Sequence, residues 1–353
     1  SGESFLLFID NYLDTFEVIE LGILISQSFG QAFMVDDSRI NLSIKIGLEL
    51  YPKYRGNSGE LLSHAKLAIY RGKQIGRHRI WLCDCEKNYQ YINDFIITQD
   101  LYDAVENKDI ELFYQPQLDL QEYKITGFEA LSRWKHPRLG NISPATFIRI
   151  AEETGLIVPM GEQVLIDACL FIKKLHSQGY KDMAISINVS AIQFLDSNFY
   201  DDVLNVLELI DLEPHYLELE ITESMLIQDY KTIVRELKKL RDYGVKTAID
   251  DFGQGYSSLA YLRKLPIDIL KIDKVFSDDI LEPQEREEDN LLIDSIIILG
   301  KNMGFTVLAE GVEKKRQMDY LKEKGCHKVQ GYYIGKPAPE KEAIDFLQSF
   351  NRH

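Results

Sequence analysis

The sequence predicts an α/β protein whose main part, residues 110–353, is a TIM-like (β/α)8 barrel. Three observations support this fold class. Short apolar runs alternate with segments of helical periodicity, the alternation continues for about 240 residues, and the runs are eight in number. A barrel of eight strands and eight helices usually needs about 250 residues, so the length also fits. A smaller α+β segment in residues 1–87 precedes the barrel.

The eight apolar runs have the length of buried strands. In chain order they are ELFYQP, KITGFEAL, MAISINV, YLELEI, VKTAID, DILKID, TVLAEG and KVQGYY. The segments between most of them carry apolar residues at helical spacing, and several end at a glycine suited to close a helix. These segments are PATFIRIAEE, GEQVLIDACLFIKKLHSQG, YKTIVRELKKLRDYG, NLLIDSIIILGKNMG and KKRQMDYLKEKG.

The first 87 residues predict strands around one helix. SFLLFID is a short apolar run, INLSIKIGLELYP alternates like a long strand, and GELLSHAKLAIYRGK has helical spacing. The following stretch, YINDFIITQDLYDAVEN, predicts a connecting helix. We therefore divide the chain into a first segment at 1–87, a linker at 88–109 and the barrel domain at 110–353.

Composition limits the classes of partner. The formal net charge of -16 argues against duplex nucleic acid, because phosphate binding needs a basic face. No run approaches the roughly 20 apolar residues of a membrane span, so we expect no membrane contact from this part. Four cysteines suit reduced thiols and a cytoplasmic location. Since the chain starts with Ser1, a longer, membrane-attached protein of which this is the cytoplasmic part remains open.

Polar residues lie at the ends of the predicted strands. In a barrel of this type the carboxyl ends of the strands form the active site. Buried carboxylates need partners, so a convergence of several acids predicts bound cations. Carboxylate oxygens with one amide oxygen suit Mg²⁺ or Mn²⁺ rather than zinc. The strand-end residues are Glu129, Asn188, Glu220, Asp250, Asp251, Lys271, Glu310 and Gln330.

The adjacent pair Asp250 and Asp251 indicates the type of reaction that the site would catalyse. Two adjacent carboxylates can hold two cations, with Asp250 as the bridging group, and a pair of cations is the apparatus for in-line attack on a phosphodiester. Lys271 on the next strand would position the attacking water or help to deprotonate it. Gly253 and Gly255 would give the backbone the unusual angles that it needs after the pair. A single acid at a strand end is more often a helix N-cap, but coincidence does not explain the whole set.

These residues stand in motifs that resemble the EAL domain, a family of phosphodiesterases that hydrolyse cyclic di-GMP. The resemblance covers residues from about 111 to 347. It implies the EAL type of barrel, in which the first strand is antiparallel, and linear pGpG as the product. The motifs are YQPQLDL, GFEALSRWKHP, SINVSAIQF, LELEITES, AIDDFGQGYSSLAYLRKLPIDILKID, VLAEGVE and VQGYYIGKP.

The resemblance also implies roles for individual residues. Two Mg²⁺ or Mn²⁺ ions per active site would be bound by Glu129, Asn188, Glu220, Asp250 and Asp251. Lys271 would lie beside the attacking water, and Glu310 would be either the general base or an outer ligand of the second metal. Glu223 would anchor the loop after the paired aspartates, and Glu313 would be a further active-site residue. Substrate would be contacted by Gln115, Leu131, Arg133, Asp251 and Gln330.

The first segment resembles the later part of a GGDEF, or diguanylate cyclase, domain. SGESF at 1–5 stands where that family has its signature, but Ser4 replaces the metal-binding acid and Glu3 replaces an aspartate. The upstream half of such a domain is absent. We therefore expect a structural or regulatory role rather than cyclase activity. The resemblance of the barrel to EAL domains further implies a homodimer that forms through the loop after Asp251.

Two other functions remain open at this point. A catalytically silent receptor would bind cyclic di-GMP and signal through its dimer, but silent relatives usually lose a metal ligand or the aspartate pair. A glycosidase could use two of the carboxylates, but that chemistry gives no role to Asn188 and Lys271.

Overall fold

The computed structural model describes residues 5–12, 14–29, 33–35, 38–40, 44–50, 61–66, 68–69, 80–82, 88–253, 262, 264–280 and 290–350. The chain separates into two compact units, Ser1–Asp100 and Leu101–His353. The division falls within the helix Asn88–Glu106, which is the predicted connecting helix. The domain boundaries at 87 and 110 stay predictions.

The described residues of the first unit include a long helix and four short strands. The helix is Thr15–Ser28, and the strands are β1 (Phe33–Val35), β2 (Ser38–Ile40), β3 (Ile46–Leu48) and β4 (Ile80–Leu82). β1 pairs with β2 antiparallel, and β3 pairs with β4 parallel. A small core of Val18, Ile19, Leu50 and Ile80 lies between the helix and the second pair.

The predictions for this unit are met in part. Residues 61–66 and 68–69 are helical as predicted, and the long predicted strand appears as Ile46–Leu48 among the described residues. The run SFLLFID is not a strand, since residues 5–10 have no regular secondary structure and Phe5 is fully exposed. The helix Thr15–Ser28 was not predicted; its N-cap Asp14 accepts a hydrogen bond from Glu17 N. The resemblance of residues 1–5 to the GGDEF signature stays a prediction, and residues 1–4 lie outside the described residues.

The second unit is the predicted closed barrel. Its strands are β5 (Ile110–Asp119), β6 (Lys124–His136), β8 (Ala184–Asn188), β9 (Leu217–Thr222), β10 (Lys246–Phe252), β11 (Ile269–Ile272), β12 (Thr306–Ala309) and β13 (Lys328–Gln330). They pair in this order, and β5 closes the ring by pairing with both β6 and β13. Both pairings of β5 are antiparallel, whereas the other six are parallel, so the antiparallel first strand is confirmed. Two short strands, β7 (Gly140–Ile142) and β14 (Ala338–Pro339), extend the sheet beside β6 and β5.

Helices surround the barrel. The glycines predicted to close helices, Gly179, Gly244, Gly304 and Gly325, all have positive φ, and Gly244 is the C-cap of Tyr230–Tyr243. Among the helices that the sequence did not indicate are Phe199–Ile210, Lys274–Asp278 and Glu340–Phe350. The other helices of this unit are Pro144–Thr154, Ile157–Ser177, Ala191–Phe194, the 3₁₀ turn Pro214–Tyr216, Met225–Gln228, Tyr230–Tyr243, Leu291–Asn302 and Lys315–Glu323.

Strand alternation sorts apolar and polar side chains between the two faces of the barrel wall. On β9, Leu217, Leu219 and Ile221 are buried in the large core between strands and helices. Glu218 and Glu220 lie on the opposite face, which lines the barrel axis. The same alternation on the neighbouring strands brings polar groups together at the axis. Within the described residues, no helix has both the length and the apolar character needed to span a bilayer.

Candidate active site

Strand register brings the predicted site residues to one end of the barrel. Asn188 on β8 pairs with Glu220 on β9, and Gln115 on β5 pairs with Glu129 on β6. Asp250 ends its pairing with β9 opposite Thr222. Because β6 and β8 to β13 run parallel, their carboxyl ends meet at the same face.

Lys271 lies at the centre of this face. Its side chain is 1% exposed, and Nζ lies 2.5 Å from Glu220 Oε2, 2.7 Å from Glu310 Oε1, 3.2 Å from Asp250 Oδ1 and 3.7 Å from Glu129 Oε2. Four carboxylates around one ammonium leave an excess of negative charge in a buried place. Uncompensated charge of this kind is costly, so the cluster needs protons or further cations.

The pKa shifts of the buried groups indicate the same excess of negative charge. Burial, assisted by the charges of Asp250 and Glu129 and opposed by Lys271, raises the pKa of Glu310 to about 8. Burial likewise raises the pKa of Glu220 well above its ordinary value, although Lys271 opposes the shift. Burial by itself would lower the pKa of Lys271, but the surrounding carboxylates raise it well above its ordinary value. Lys271 is therefore a charged ammonium in this arrangement.

The donor set fits a divalent metal. One oxygen from each of Asp250, Asp251 and Glu310 lies within 4.8 Å of the other two, which is the spacing of a shared cation. Asp250 Oδ1 is buried and accepts no hydrogen bond, although the Lys271 ammonium is 3.2 Å away. Carboxylate oxygens with an uncompensated charge match the hard-ligand preference of Mg²⁺ and Mn²⁺.

A bulge in β10 explains how two adjacent aspartates share one side. Between Ile249 and Phe252, β10 has one residue more than its partner β11. Asp251 lies in this bulge with φ 55°, in the left-handed region. In a regular strand, adjacent side chains point to opposite faces, whereas a bulge can re-aim one of them. Burial, the charge of Asp250 and a hydrogen bond with Asp273 raise the pKa of Asp251 to about 6.

The turn after the bulge is fixed by Glu223. This buried carboxylate accepts a hydrogen bond from Gly253 N at 3.1 Å, and Glu223 N donates to Asp250 O at 3.3 Å. Gly253 has φ 105°, as the sequence predicts for this turn. Gly255 lies outside the described residues. The role of Glu223 as the anchor of this loop stays a prediction, which its contact with Gly253 supports.

Amide side chains surround Glu129. Asn188 Nδ2 donates to Glu129 Oε1 at 2.7 Å, and Gln330 Nε2 donates to Glu129 Oε2. Gln330 Nε2 also donates to Gln115 Oε1 at 3.1 Å, and Gln115 Nε2 donates to Gly335 O at 3.1 Å. The four predicted site residues thus form one hydrogen-bonded set that holds the Glu129 carboxylate in place.

Three predicted residues lie outside the carboxylate cluster. Leu131 and Arg133 are half-buried further along β6, where Arg133 Nη1 donates to Ser132 O at 2.9 Å and the guanidinium lies 5.8 Å from the ring centroid of Phe113. Burial lowers the pKa of Arg133. Glu313 forms an ion pair with Lys274 and not with Lys271. The distance from Lys274 Nζ to Glu313 Oε1 is 2.5 Å. A hydrogen bond from Lys274 lowers the pKa of this exposed carboxyl.

Sequence reasoning missed Asp273. This buried residue follows β11 and caps the helix Lys274–Asp278, since Asp273 Oδ1 accepts a hydrogen bond from Val275 N at 2.7 Å. It is also one of the groups that raise the pKa of Asp251. The signal was available, because Asp273 ends the run DILKID two residues after Lys271.

The sequence of this chain is similar to those of known proteins. A family model described as EAL domain matches residues 98–337. The bifunctional diguanylate cyclase/cyclic di-GMP phosphodiesterase MucR of Pseudomonas aeruginosa is 34% identical over 343 residues, which are 97% of this chain and 50% of that protein. The cyclic di-GMP phosphodiesterase NbdA of the same organism is 34% identical over 324 residues, 92% of this chain and 41% of that protein. This chain thus spans about half the length of these relatives or less.

A solved structure agrees with these matches. The MucR phosphodiesterase in complex with cyclic di-GMP superimposes with a TM-score of 0.67 at 39% sequence identity. The match covers 70% of this chain and 99% of that one.

Proposed function

This chain belongs to the EAL domain family, and on that premise we propose that it hydrolyses cyclic di-GMP to linear pGpG. The observation that carries the proposal is the group of four carboxylates around Lys271 at the carboxyl end of the barrel. The activity named for MucR and NbdA supports the choice of substrate.

We assign two Mg²⁺ or Mn²⁺ ions to the site. Glu129, Asn188, Glu220 and Asp250 would hold the first, and Asp250 with Asp251 would hold the second. When bound, such a pair stabilises the attacking and leaving oxygens of an in-line displacement. The excess carboxylate charge and the Asp250 oxygen without a hydrogen bond support this assignment.

The chain's own residues orient the reaction. Lys271, held by carboxylates on four strands or strand ends, presents a fixed ammonium to the attacking water. Glu310, 2.7 Å from Lys271 Nζ, is placed either to accept a proton from that water or to serve as an outer ligand. Gln115, Leu131, Arg133 and Gln330 would contact substrate, with Arg133 suited to a phosphate oxygen.

Chromatography of cyclic di-GMP incubated with the protein and Mg²⁺ or Mn²⁺ tests the proposal. We expect conversion to pGpG, and we expect Glu129→Gln and Asp250→Asn to lower turnover by at least about 100-fold, since each removes a charge from the site. Glu342→Gln, on the exposed side of the helix Glu340–Phe350, is the matched control and should retain full turnover. A protein that binds cyclic di-GMP and leaves it uncut would instead be a receptor.

Three further assignments belong to the proposal. Residues 1–87 would have a structural or regulatory role, which predicts that no cyclic di-GMP forms from GTP. The protein would be cytoplasmic. It would form a homodimer through the loop after Asp251, although residues 254–261 of that loop lie outside the described residues.

A further inference from the structure

Residues 310–314 connect β12 to the helix Lys315–Glu323 and carry Glu310 into the carboxylate cluster. The segment has no regular secondary structure, so individual hydrogen bonds determine its conformation. Glu310 N donates to Ile272 O at 3.0 Å, and Val312 N donates to Gln330 O at 3.0 Å. Val312 O accepts a hydrogen bond from Tyr333 N at 2.9 Å. Glu313 N and Lys314 N both donate to one side chain further along the chain.

That side chain is Gln317, which is 5% exposed. Its Oε1 accepts hydrogen bonds from Glu313 N and Lys314 N, both at 2.8 Å. Its Nε2 donates to Ser277 O, also at 2.8 Å. Ser277 lies in the helix Lys274–Asp278, which follows Lys271 on the neighbouring strand. One buried amide therefore joins the segment that carries Glu310 to the helix that follows Lys271.

The segment fits closely against that helix. Gly311 has φ 67°, and a Cβ atom there would lie 2.2 Å from Lys274 Cγ. The ion pair between Lys274 and Glu313 spans the same contact, but both side chains are about half-exposed, so it contributes little. The Gln317 amide is the buried polar link between the two elements, and a buried hydrogen bond resists displacement more than an exposed ion pair does.

We propose that Gln317 is a positioning residue, which fixes the segment 310–314 on the helix Lys274–Asp278 and thereby keeps Glu310 at Lys271 and at the paired aspartates. It contacts neither substrate nor metal. The inference rests on the proposed hydrolysis, because it assigns to Gln317 a part in the same site. A simpler role, as an N-terminal cap of the helix Lys315–Glu323, would need only the two bonds that Oε1 accepts.

Two substitutions separate these roles. Gln317→Met has similar size and loses all three hydrogen bonds. Gln317→Glu keeps an acceptor for Glu313 N and Lys314 N but places a carboxylate against the Ser277 carbonyl, so it loses the link. Tyr320→Phe is the matched control, since it removes a 2.8 Å bond from the same helix to a different neighbour, Asp294 of the helix Leu291–Asn302.

The variants are compared in the whole chain of residues 1–353 by steady-state kinetics, and by calorimetric titration with Mn²⁺ alone. We expect Gln317→Met and Gln317→Glu to lower kcat and weaken Mn²⁺ binding by roughly 10- to 100-fold, as outer groups around a metal site do. KM should change little. Tyr320→Phe should match the wild type in both measurements. Amide exchange at Glu313 and Lys314 should accelerate in Gln317→Met only.

The proposal is overturned if Gln317→Glu keeps wild-type kcat and Mn²⁺ affinity, because the cap alone would then suffice. It is also overturned if Tyr320→Phe loses as much as the Gln317 variants, since the effect would then be general destabilisation. If the wild type hydrolyses no cyclic di-GMP, the proposed function fails, and the Mn²⁺ titration still decides the role of Gln317.

Discussion

Lys271 shows how a buried charge is tolerated. Four carboxylates lie within 3.7 Å of its ammonium, and they more than offset the cost of burial. The single ammonium does not neutralise the four carboxylates, so an excess of negative charge remains. Burial and this excess raise the pKa of Glu310 to about 8. The residue-level electrostatics thus favour uptake of either a proton or a metal ion.

The raised pKa of Glu310 predicts that the metal-free protein is less stable at higher pH. Between its ordinary value of 4.5 and about 8, the folded state holds a proton that the unfolded state has lost. Stability therefore falls as pH rises through this window. Thermal unfolding in a chelator, from pH 5 to 9, should show a falling melting temperature. Glu310→Gln should flatten the fall, and an unchanged slope in that variant would contradict the prediction.

At the level of elements, the short apolar runs predicted all eight barrel strands, because each strand buries its outer face under helices. The positions of Glu129, Glu220, Asp250 and Lys271 at strand ends likewise predicted that these side chains lie together, as they do. The positive φ of Asp251 could not be predicted, since the bulge exists only in the pairing of β10 with β11. The sequence did mark the turn that follows, because Gly253 lies two residues after Asp251.

Long-range contacts explain the other omissions. Gln317 acts through a bond to Ser277, 40 residues earlier, and no local pattern marks such a link. The helix Thr15–Ser28 was missed for a different reason. Its Val18, Ile19 and Ile23 are β-branched residues that suit a strand, whereas in the fold they pack on the core of the first unit.

The bulge in β10 predicts that asparagine and alanine at position 251 differ in their effect on stability. Asparagine adopts the left-handed region more readily than alanine, for which it costs about 1 kcal/mol. Both Asp251→Asn and Asp251→Ala remove the charge. The difference in their free energies of unfolding therefore measures the cost of the left-handed backbone conformation. We expect the alanine variant to have the lower free energy of unfolding by about 1 kcal/mol in urea denaturation. At Asp242, within the helix Tyr230–Tyr243, the order should reverse, since alanine favours helix. Equal stability of the two Asp251 variants would count against the bulge.

At the scale of the whole molecule, the closed barrel serves as a rigid frame for groups that repel one another. Site residues come from β5, β6 and β8 to β13 or directly follow them, so no single element could relax to separate the charges without opening the ring. The net charge of -16 adds to the general preference for cations. The energy of the charge cluster is therefore linked to the stability of the unit Leu101–His353 as a whole.

This linkage predicts that Mn²⁺ stabilises the folded chain. A ligand that binds only the folded state at 100 times its Kd adds about 2.7 kcal/mol, which for a domain of this size corresponds to a rise in Tm of roughly 5–10 °C. Differential scanning calorimetry with and without Mn²⁺ measures the rise. Asp250→Asn should lose most of it, because that residue carries the buried oxygen that accepts no hydrogen bond.

Glu342→Gln is again the control and should keep the full rise. If the two units unfold in separate transitions, only the transition of the unit that contains the site should move. A shift of equal size in Asp250→Asn would place the metal elsewhere. An absent shift in the wild type would mean that the carboxylates are neutralised by protons alone, and Tm would then depend on pH in the same way with and without Mn²⁺.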